Sequence, residues 1–346
     1  MKLGGVENAV REIAKRLSKK HEVFLIVRDR PQNTNKFEKF WKEVFVVPES
    51  DNYLNFIKKR KEVEKFVKTR NIDIVNFHNW SPAFPFIFSK FKKVLTFHGT
   101  STEQAIVDRR WLKVPIMWLI EEITANSMDA VTSITEFHMR LFKILKPLHI
   151  IPNGVDTEFF DPRKVDRKKI RKKLGLTKPT ALFVGKFMPV KGLRHFIEIA
   201  KEVSDWEFIV VGDGEERYLL EDAPKNLKWL GPIYDKKKLR EVYGACDVLV
   251  IPSENEGLPL VLLEGMAMEL PVVCSRAGGL PEIVEAAGCG VVVRPKDVSE
   301  FVRVISNSGK RAVSNWKEQG RFFIKNNLDW KIVVKDLVIV FEGVIK

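Results

Sequence analysis

Glutamine is almost missing from this chain, standing only at positions 32, 104 and 319, and cysteine occurs just three times, at Cys246, Cys274 and Cys289. The cysteines form no ligand spacing, which excludes a disulfide-stapled secreted scaffold and a cysteine zinc site and suits a reducing cytoplasm. Scarce glutamine beside abundant Lys, Arg and Glu fits a protein from a thermophile. No stretch of about 18 uncharged apolar residues is present, which excludes a membrane-spanning helix. The opening, MKLGGVENAV, has neither the apolar core nor the small-residue cleavage site of a signal peptide. No Asp-x-Asp triplet occurs anywhere, and no bound divalent metal is expected.

What the chain does have is size and charge. At 346 residues it exceeds the usual single-domain range, so two domains are expected, each with its own core. An apolar fraction of 45% and a charged fraction of 30% describe a soluble globular protein. The net charge of +14 is uneven: residues 1 to 152 hold 27 Lys and Arg against 17 Asp and Glu, and the remainder 32 against 28. A basic first half suits an anionic partner there, such as a lipid surface, a phosphorylated acceptor or nucleic acid, or is a solvated lysine-rich face. No recognition motif for nucleic acid accompanies the charge, and none is expected as a partner.

Short β-branched runs alternate with amphipathic stretches, the pattern of parallel sheets covered by helices on both faces. It predicts strands at 22–28, 44–48, 74–78, 94–98, 130–134 and 149–152, then at 180–185, 207–212, 227–230, 247–252, 271–275 and 290–294. The expected fold class is α/β, with two doubly wound Rossmann-like domains. Between them runs Pro152-Asn153-Gly154-Val155-Asp156-Thr157-Glu158-Phe159-Phe160-Asp161-Pro162, whose turn formers predict a hinge.

Open α/β sheets bind ligands beyond the carboxyl ends of their strands, so chemistry belongs in the loops that follow them. Those loops hold Gly185, Lys186, Lys191 and Gly192; Gly212-Asp213-Gly214; Ser253-Glu254-Asn255-Glu256-Gly257; and Arg276-Ala277-Gly278-Gly279. Each has a use if the ligand carries a diphosphate. A helix predicted over 259–268 would open at Gly257 and Pro259 and present free N–H groups to an anion. Lys186 and Lys191 would neutralise phosphates and stabilise a departing diphosphate, or are two of many surface lysines. Glu264, behind the apolar run Leu260-Val261-Leu262-Leu263, would be costly to bury unpaired and can accept hydrogen bonds from a vicinal diol such as a ribose. Glu256, ahead of that helix, lies nearer the reacting group. The lone Gly212-x-Gly214 pair is explained by a tight turn, since Arg217 stands where a dinucleotide fingerprint needs a third glycine. His98 ends a strand immediately before Gly99 and reads as a site histidine or as a core histidine held by backbone; His78 is a lesser candidate that would line the acceptor side.

Taken in order, GKFMPVKG, VVGDGEE, ENEGLPLVLLEGMA, PVVCSRAGGLPEIV and the linker IPNGVD resemble the motif series of glycosyltransferase family 4, retaining enzymes that use nucleotide sugars. The likeness runs from GGVE at position 4 to the terminal LDWKIVVKDLV. It implies the glycosyltransferase-B architecture, two Rossmann-like domains facing a cleft. Residues 1–157 would take the acceptor, 158–326 the nucleotide-diphosphate sugar, and 327–346 would form a helix crossing back to the first domain. It implies a hexose moved from a UDP- or GDP-linked donor to a hydroxyl on a glycan or lipid-linked acceptor, with no cofactor and no metal.

Residue by residue, the resemblance implies that Gly4 and Gly5 approach the diphosphate and that Gly185, Gly257 and Leu258 belong to donor-binding motifs. His98 would lie at the sugar's reacting end, Lys191 would be the phosphate lysine, Glu256 would sit beside the transferred sugar, and Glu264 would hold the ribose hydroxyls. The backbone at Ile233 would lie against the base. Lys186 stands where this family more often has arginine, which keeps a cation and loses the bidentate fork. The departing phosphate oxygen would accept the acceptor's proton, with Lys186, Lys191 and the helix N-terminus stabilising charge. The rival readings are a nucleotide-sugar 2-epimerase of the same architecture and a non-catalytic basic binding protein.

Two stretches stand apart. Arg109-Arg110-Trp111-Leu112-Lys113-Val114-Pro115-Ile116-Met117-Trp118-Leu119-Ile120 sets cations and tryptophans around aliphatics. It reads as a segment resting on an anionic membrane, which would make the protein peripheral on the inner face, or as a core helix with an exposed basic end. At the other stretch, only Met1, Lys2 and Leu3 precede Gly4, where family members usually carry a hydrophobic first strand. The native protein is therefore expected to start upstream, or the first domain to lack a strand and be less ordered around residues 1 to 10. The test is whether its sheet closes over the gap.

Overall fold

The computed structural model of the chain describes residues 4–27, 40–47, 53–307 and 312–346. Met1, Lys2 and Leu3 lie outside them. The strands are β1 (Phe24–Val27), β2 (Glu43–Val46), β3 (Val75–His78), β4 (Lys93–Phe97), β5 (Ala130–Ser133), β6 (Leu148–Ile150), β7 (Thr180–Val184), β8 (Glu207–Val211), β9 (Leu227–Trp229), β10 (Val248–Ile251), β11 (Val272–Ser275) and β12 (Gly290–Val293). Every expected strand has its counterpart, each ending or starting short of the expectation, while β2, β4 and β6 begin one residue earlier than expected; positions 28 and 48 of the expectation lie outside the described residues. The chain groups into two compact units, Met1–Asn153 with Trp330–Lys346, and Gly154–Asp329.

In the second unit all neighbouring strands run parallel in the order β12-β11-β10-β7-β8-β9. This is the dinucleotide-fold order, and its switch point lies between β7 and β10, where successive crossovers turn opposite ways. Apart from Lys228 in the edge strand β9 and polar residues at strand ends (Thr180, Glu207, Ser275), the strands are apolar because helices cover both faces. One side of the core holds Phe183, Phe187, Phe196, Phe208 and Phe301. Charge secures the entry to β7: Asp247 receives Arg167 at 2.7 Å, Arg171 at 3.2 Å and the Thr180 amide at 2.9 Å. The segment after Asn153 stays with this unit because Val155 bridges to Asp329, whose Oδ2 also accepts the Thr157 hydroxyl at 2.6 Å.

In the first unit β3, β4, β5 and β6 form one parallel sheet, and β1 pairs with β2 in another. Among the described residues no ladder joins β1 to β3, so the sheet does not close over the gap. Its core gathers Phe56, Phe77, Phe86, Leu95 and Phe97. The terminal helix Trp330–Ile345 belongs to this unit, where Val340 packs with Val94 and Ala130. The segment 109–120 is not a core helix: Trp111, Leu112, Ile116 and Leu119 are all exposed.

Candidate functional site

At the switch point of the second unit two loops lie backbone to backbone. Gly192 has φ +73°, and a Cβ there would fall 2.2 Å from the Pro252 carbonyl oxygen, so the loop after β7 can approach the loop after β10 only with glycine at this position. A third loop closes in the same way. Gly278, at φ +53°, would place a Cβ 1.5 Å from the Glu256 carbonyl oxygen. The Gly279 amide donates to the Gly257 carbonyl at 3.1 Å.

These contacts fix the acid that the sequence singles out. Glu256 is 8% exposed and doubly held: Lys191 Nζ donates to Oε2 at 2.6 Å and Ser253 Oγ to Oε1 at 2.9 Å. Lys191 and Glu256 are therefore one ion pair, a link the sequence reading did not foresee. Any anion reaching this loop would have to compete with Glu256 for the ammonium. Lys186 is exposed on the same loop, and Gly185 continues the sheet by donating to Val211 at 3.0 Å.

Helices start at this edge at Leu193, Leu260 and Leu280, and none of the three has a side-chain cap. Their first backbone N–H groups form the positive end of a dipole, the arrangement that receives anions. Leu258 is buried just ahead of the second helix. Within it, Glu264 is 9% exposed, and its Oε2 accepts the Tyr243 hydroxyl at 3.0 Å. Burial, and then the charge of Glu264, hold the Tyr243 hydroxyl well above its usual range, so it stays a proton donor to the carboxylate. Ile233 follows β9 at the sheet's edge and lines a depression of 490 Å³ together with Ile170, Lys173, Tyr234 and Lys238. The structure thus brings Lys191, Glu256, Gly257 and Gly185 to the switch point, with Glu264 one helix turn inward, and sets Ile233 at the sheet margin.

In the first unit Gly4 and Gly5 open the helix Gly5–Leu17. His98 follows β4, and its Nε2 lies 2.9 Å from His78 Nδ1, so one ring donates and the other accepts. Burial pushes His98 well below its usual range, with the charges of His78 and His138 acting the same way, and burial pulls His78 down to about 4. Both rings are neutral at physiological pH. His98 is held through its amide, which donates to Asn79 Oδ1 at 2.9 Å.

Behind His98 lies a group that sequence reasoning missed. Glu121 is fully buried in the helix Val114–Asn126 and accepts the Ser101 amide at 2.6 Å, the Thr102 amide at 3.0 Å and the Thr102 hydroxyl at 2.6 Å. Thr100 Oγ1 caps the next amide, that of Glu103, at 3.1 Å, so the helix Ser101–Val107 has its first three donors satisfied. Glu103 in turn accepts from the Thr100 hydroxyl at 2.9 Å and meets His138 Nδ1 at 2.6 Å. Two acids inside an otherwise apolar segment, Glu121-Glu122, were the available signal.

The family model described as glycosyl transferases group 1 matches residues 166–321, and that described as glycosyltransferase family 4 matches residues 3–159. A GDP-mannose-dependent monoacylated alpha-(1-6)-phosphatidylinositol monomannoside mannosyltransferase of Corynebacterium glutamicum is 28% identical over 244 residues, 63% of this chain and 63% of that protein. A UDP-Gal:alpha-D-GlcNAc-diphosphoundecaprenol alpha-1,3-galactosyltransferase of Escherichia coli is 28% identical over 296 residues, 75% of this chain and 73% of that one. The chain thus spans less than two thirds of the length of the first of these relatives. Among solved structures, a sucrose-phosphate synthase from Thermosynechococcus elongatus superposes with a TM-score of 0.85 at 18% identity, covering 98% of this chain and 93% of that one. Anabaena HepE in complex with UDP superposes at 0.81 and 18% identity, covering 98% and 96%. At such identity the likeness is one of fold, two Rossmann-like units of the glycosyltransferase-B class. The comparisons lend no support to a 2-epimerase.

Proposed function

Because the chain belongs to the glycosyl transferases group 1 family, we propose that it moves a hexosyl group from a UDP- or GDP-linked sugar to a hydroxyl of a glycan or lipid-linked acceptor. The observation that carries this reading is the edge of the second unit, where three uncapped helix starts meet Lys191, Lys186 and two buried carboxylates. Each part answers a part of a nucleotide-diphosphate sugar. The helix starts and Lys186 take the diphosphate, and Lys191 turns from Glu256 toward it as the leaving group gains charge. Glu264, already polarised by Tyr243, accepts the ribose hydroxyls, and the backbone at Ile233 meets the base. Glu256, released in part from Lys191, orients the hydroxyls of the hexose. Gly4 and Gly5 accommodate the diphosphate and His98 meets the sugar, as the family likeness implies.

Retention of configuration follows in this reading from attack on the face the diphosphate leaves, with a phosphate oxygen taking the acceptor's proton. The relatives named above are said to use GDP-mannose and UDP-galactose, and HepE was solved with UDP, which favours those two bases. The residues at the switch point supply cations and N–H donors enough for the diphosphate, so we propose catalysis without a metal. The test is a thermal-shift and calorimetric screen of UDP, GDP, ADP and their common sugar conjugates against the wild type and Glu264→Ala. Selective stabilisation that the substitution abolishes is expected; no stabilisation by any of them overturns the proposal.

A further inference from the structure

The helix Val114–Asn126 is built inside out. Glu121 within it is fully buried, whereas Ile116, Leu119 and Ile123 are 57%, 51% and 46% exposed, and Leu112, in the turn Trp111–Lys113 just ahead of it, is 90% exposed. Spacings of three and four residues put Ile116, Leu119 and Ile123 on one stripe of the helix, and Leu112 leads into it. The segment 141–148, which leads into β6, adds to that stripe. Trp118 Nε1 donates to the Leu141 carbonyl at 2.8 Å, Asn126 Nδ2 to that of Lys143 at 3.0 Å, and the Leu145 amide donates to Asn126 Oδ1 at 2.7 Å. Leu141, Leu145 and Leu148, at 42%, 74% and 39% exposed, are thereby held beside the helix. Of the 17 large hydrophobic residues exposed among the described ones, 10 fall between Val107 and Leu148. A water-facing surface of that density needs a cover.

Charge says what kind of cover. Arg109, Arg110, Lys113, Arg140, Lys143 and Lys146 are exposed in the same span, interleaved with these apolar side chains. Of the acids in the same span, Glu121 is buried, Glu122 accepts the Lys143 amide, Asp129 accepts the Lys93 amide, Asp108 pairs with Arg110, and Glu136 is exposed, so the cations that face water without an acidic partner among the described residues are Arg109, Lys113, Arg140, Lys143 and Lys146. An exposed apolar stripe accompanied by two tryptophans and by interleaved cations matches the boundary of an anionic bilayer, where apolar side chains enter the acyl region and cations meet headgroups. A second copy of this chain would bring the same cations face to face.

We infer that the surface made by residues 107–148 docks the first unit onto an anionic lipid bilayer. This stands apart from the transferase reading, since it uses none of that reading's residues and is measured without any donor. The experiment is flotation of the full chain with vesicles of phosphatidylcholine alone and of phosphatidylcholine mixed with phosphatidylglycerol, with analytical ultracentrifugation in parallel. Wild type is expected to float with the anionic vesicles and stay behind with the neutral ones. Leu112→Glu combined with Ile116→Glu should abolish flotation, and Lys113→Glu combined with Lys143→Glu should weaken it by at least tenfold, at unchanged melting temperature because all four side chains are exposed. Failure to float with anionic vesicles, equal flotation with neutral ones, flotation indifferent to the substitutions, or a dimer that the Leu112→Glu and Ile116→Glu pair dissociates would each overturn it.

Discussion

Glu121 offers the sharpest test of the structural reasoning. Its carboxylate collects two amides and a hydroxyl at 2.6 to 3.0 Å inside a fully buried site. Bonds to an ionised acceptor contribute about 1.5–3 kcal/mol each, and the desolvation of a buried carboxylate offsets several kcal/mol of that sum. Removing the carboxylate in Glu121→Ala leaves the amides of Ser101 and Thr102 without their acceptor, and the net cost is about 3 kcal/mol. Burial raises the Glu121 carboxyl above its usual range despite these bonds. The folded protein therefore binds this proton more tightly than the unfolded chain. The sign follows: the region is most stable below the ordinary glutamate range and loses stability as pH rises through the raised value. Hydrogen exchange read at residues 99–104, across pH 4 to 8, should show protection falling with pH in the wild type and a pH-independent, lower protection in Glu121→Ala. Because two units need not unfold together, this local readout is preferred to a single unfolding midpoint. A loss under about 1 kcal/mol, or an unchanged pH slope, would refute the account of Glu121 as the acceptor for this helix start.

Other substitutions probe the switch point. Lys191→Met strands Glu256 in a nearly buried position; it should cost about 2 kcal/mol of stability, discounted for the partial exposure of the lysine, and weaken diphosphate binding more than tenfold by calorimetry. Lys186→Arg restores a bidentate fork and should tighten nucleotide-diphosphate binding up to about tenfold, with nucleoside binding unchanged. Gly278→Ala places a methyl 1.5 Å from the Glu256 carbonyl oxygen at φ +53°, so it should abolish donor binding while leaving the first unit's exchange protection intact. His78, held down to about 4, contributes up to about 3 kcal/mol that is fully present above its unfolded value near 6.5 and is lost as pH falls through 4; His78→Phe should flatten acid unfolding of the first unit over that window.

Much of this molecule is legible without coordinates. Alternating β-branched runs and amphipathic stretches are local properties, and they located the strands because a parallel strand buried on both faces must be apolar throughout. The spacing of Glu256 and Glu264 was equally legible, since an acid behind four aliphatics on a predicted helix is costly unless it has work to do. Folding supplied the partners. Lys191 reaches Glu256 across 65 residues and Tyr243 reaches Glu264 across 21, and no local pattern encodes a contact of that separation. The segment 109–120 was ambiguous for the same reason: a stripe of Leu and Ile reads alike whether it faces a core or water. Only the packing of Glu121 under the start of the helix Ser101–Val107 turns that stripe outward, because one buried carboxylate with three donors fixes the rotation of its helix. Local chemistry determined which elements form; the long-range pairing of charges and donors decided which way they face.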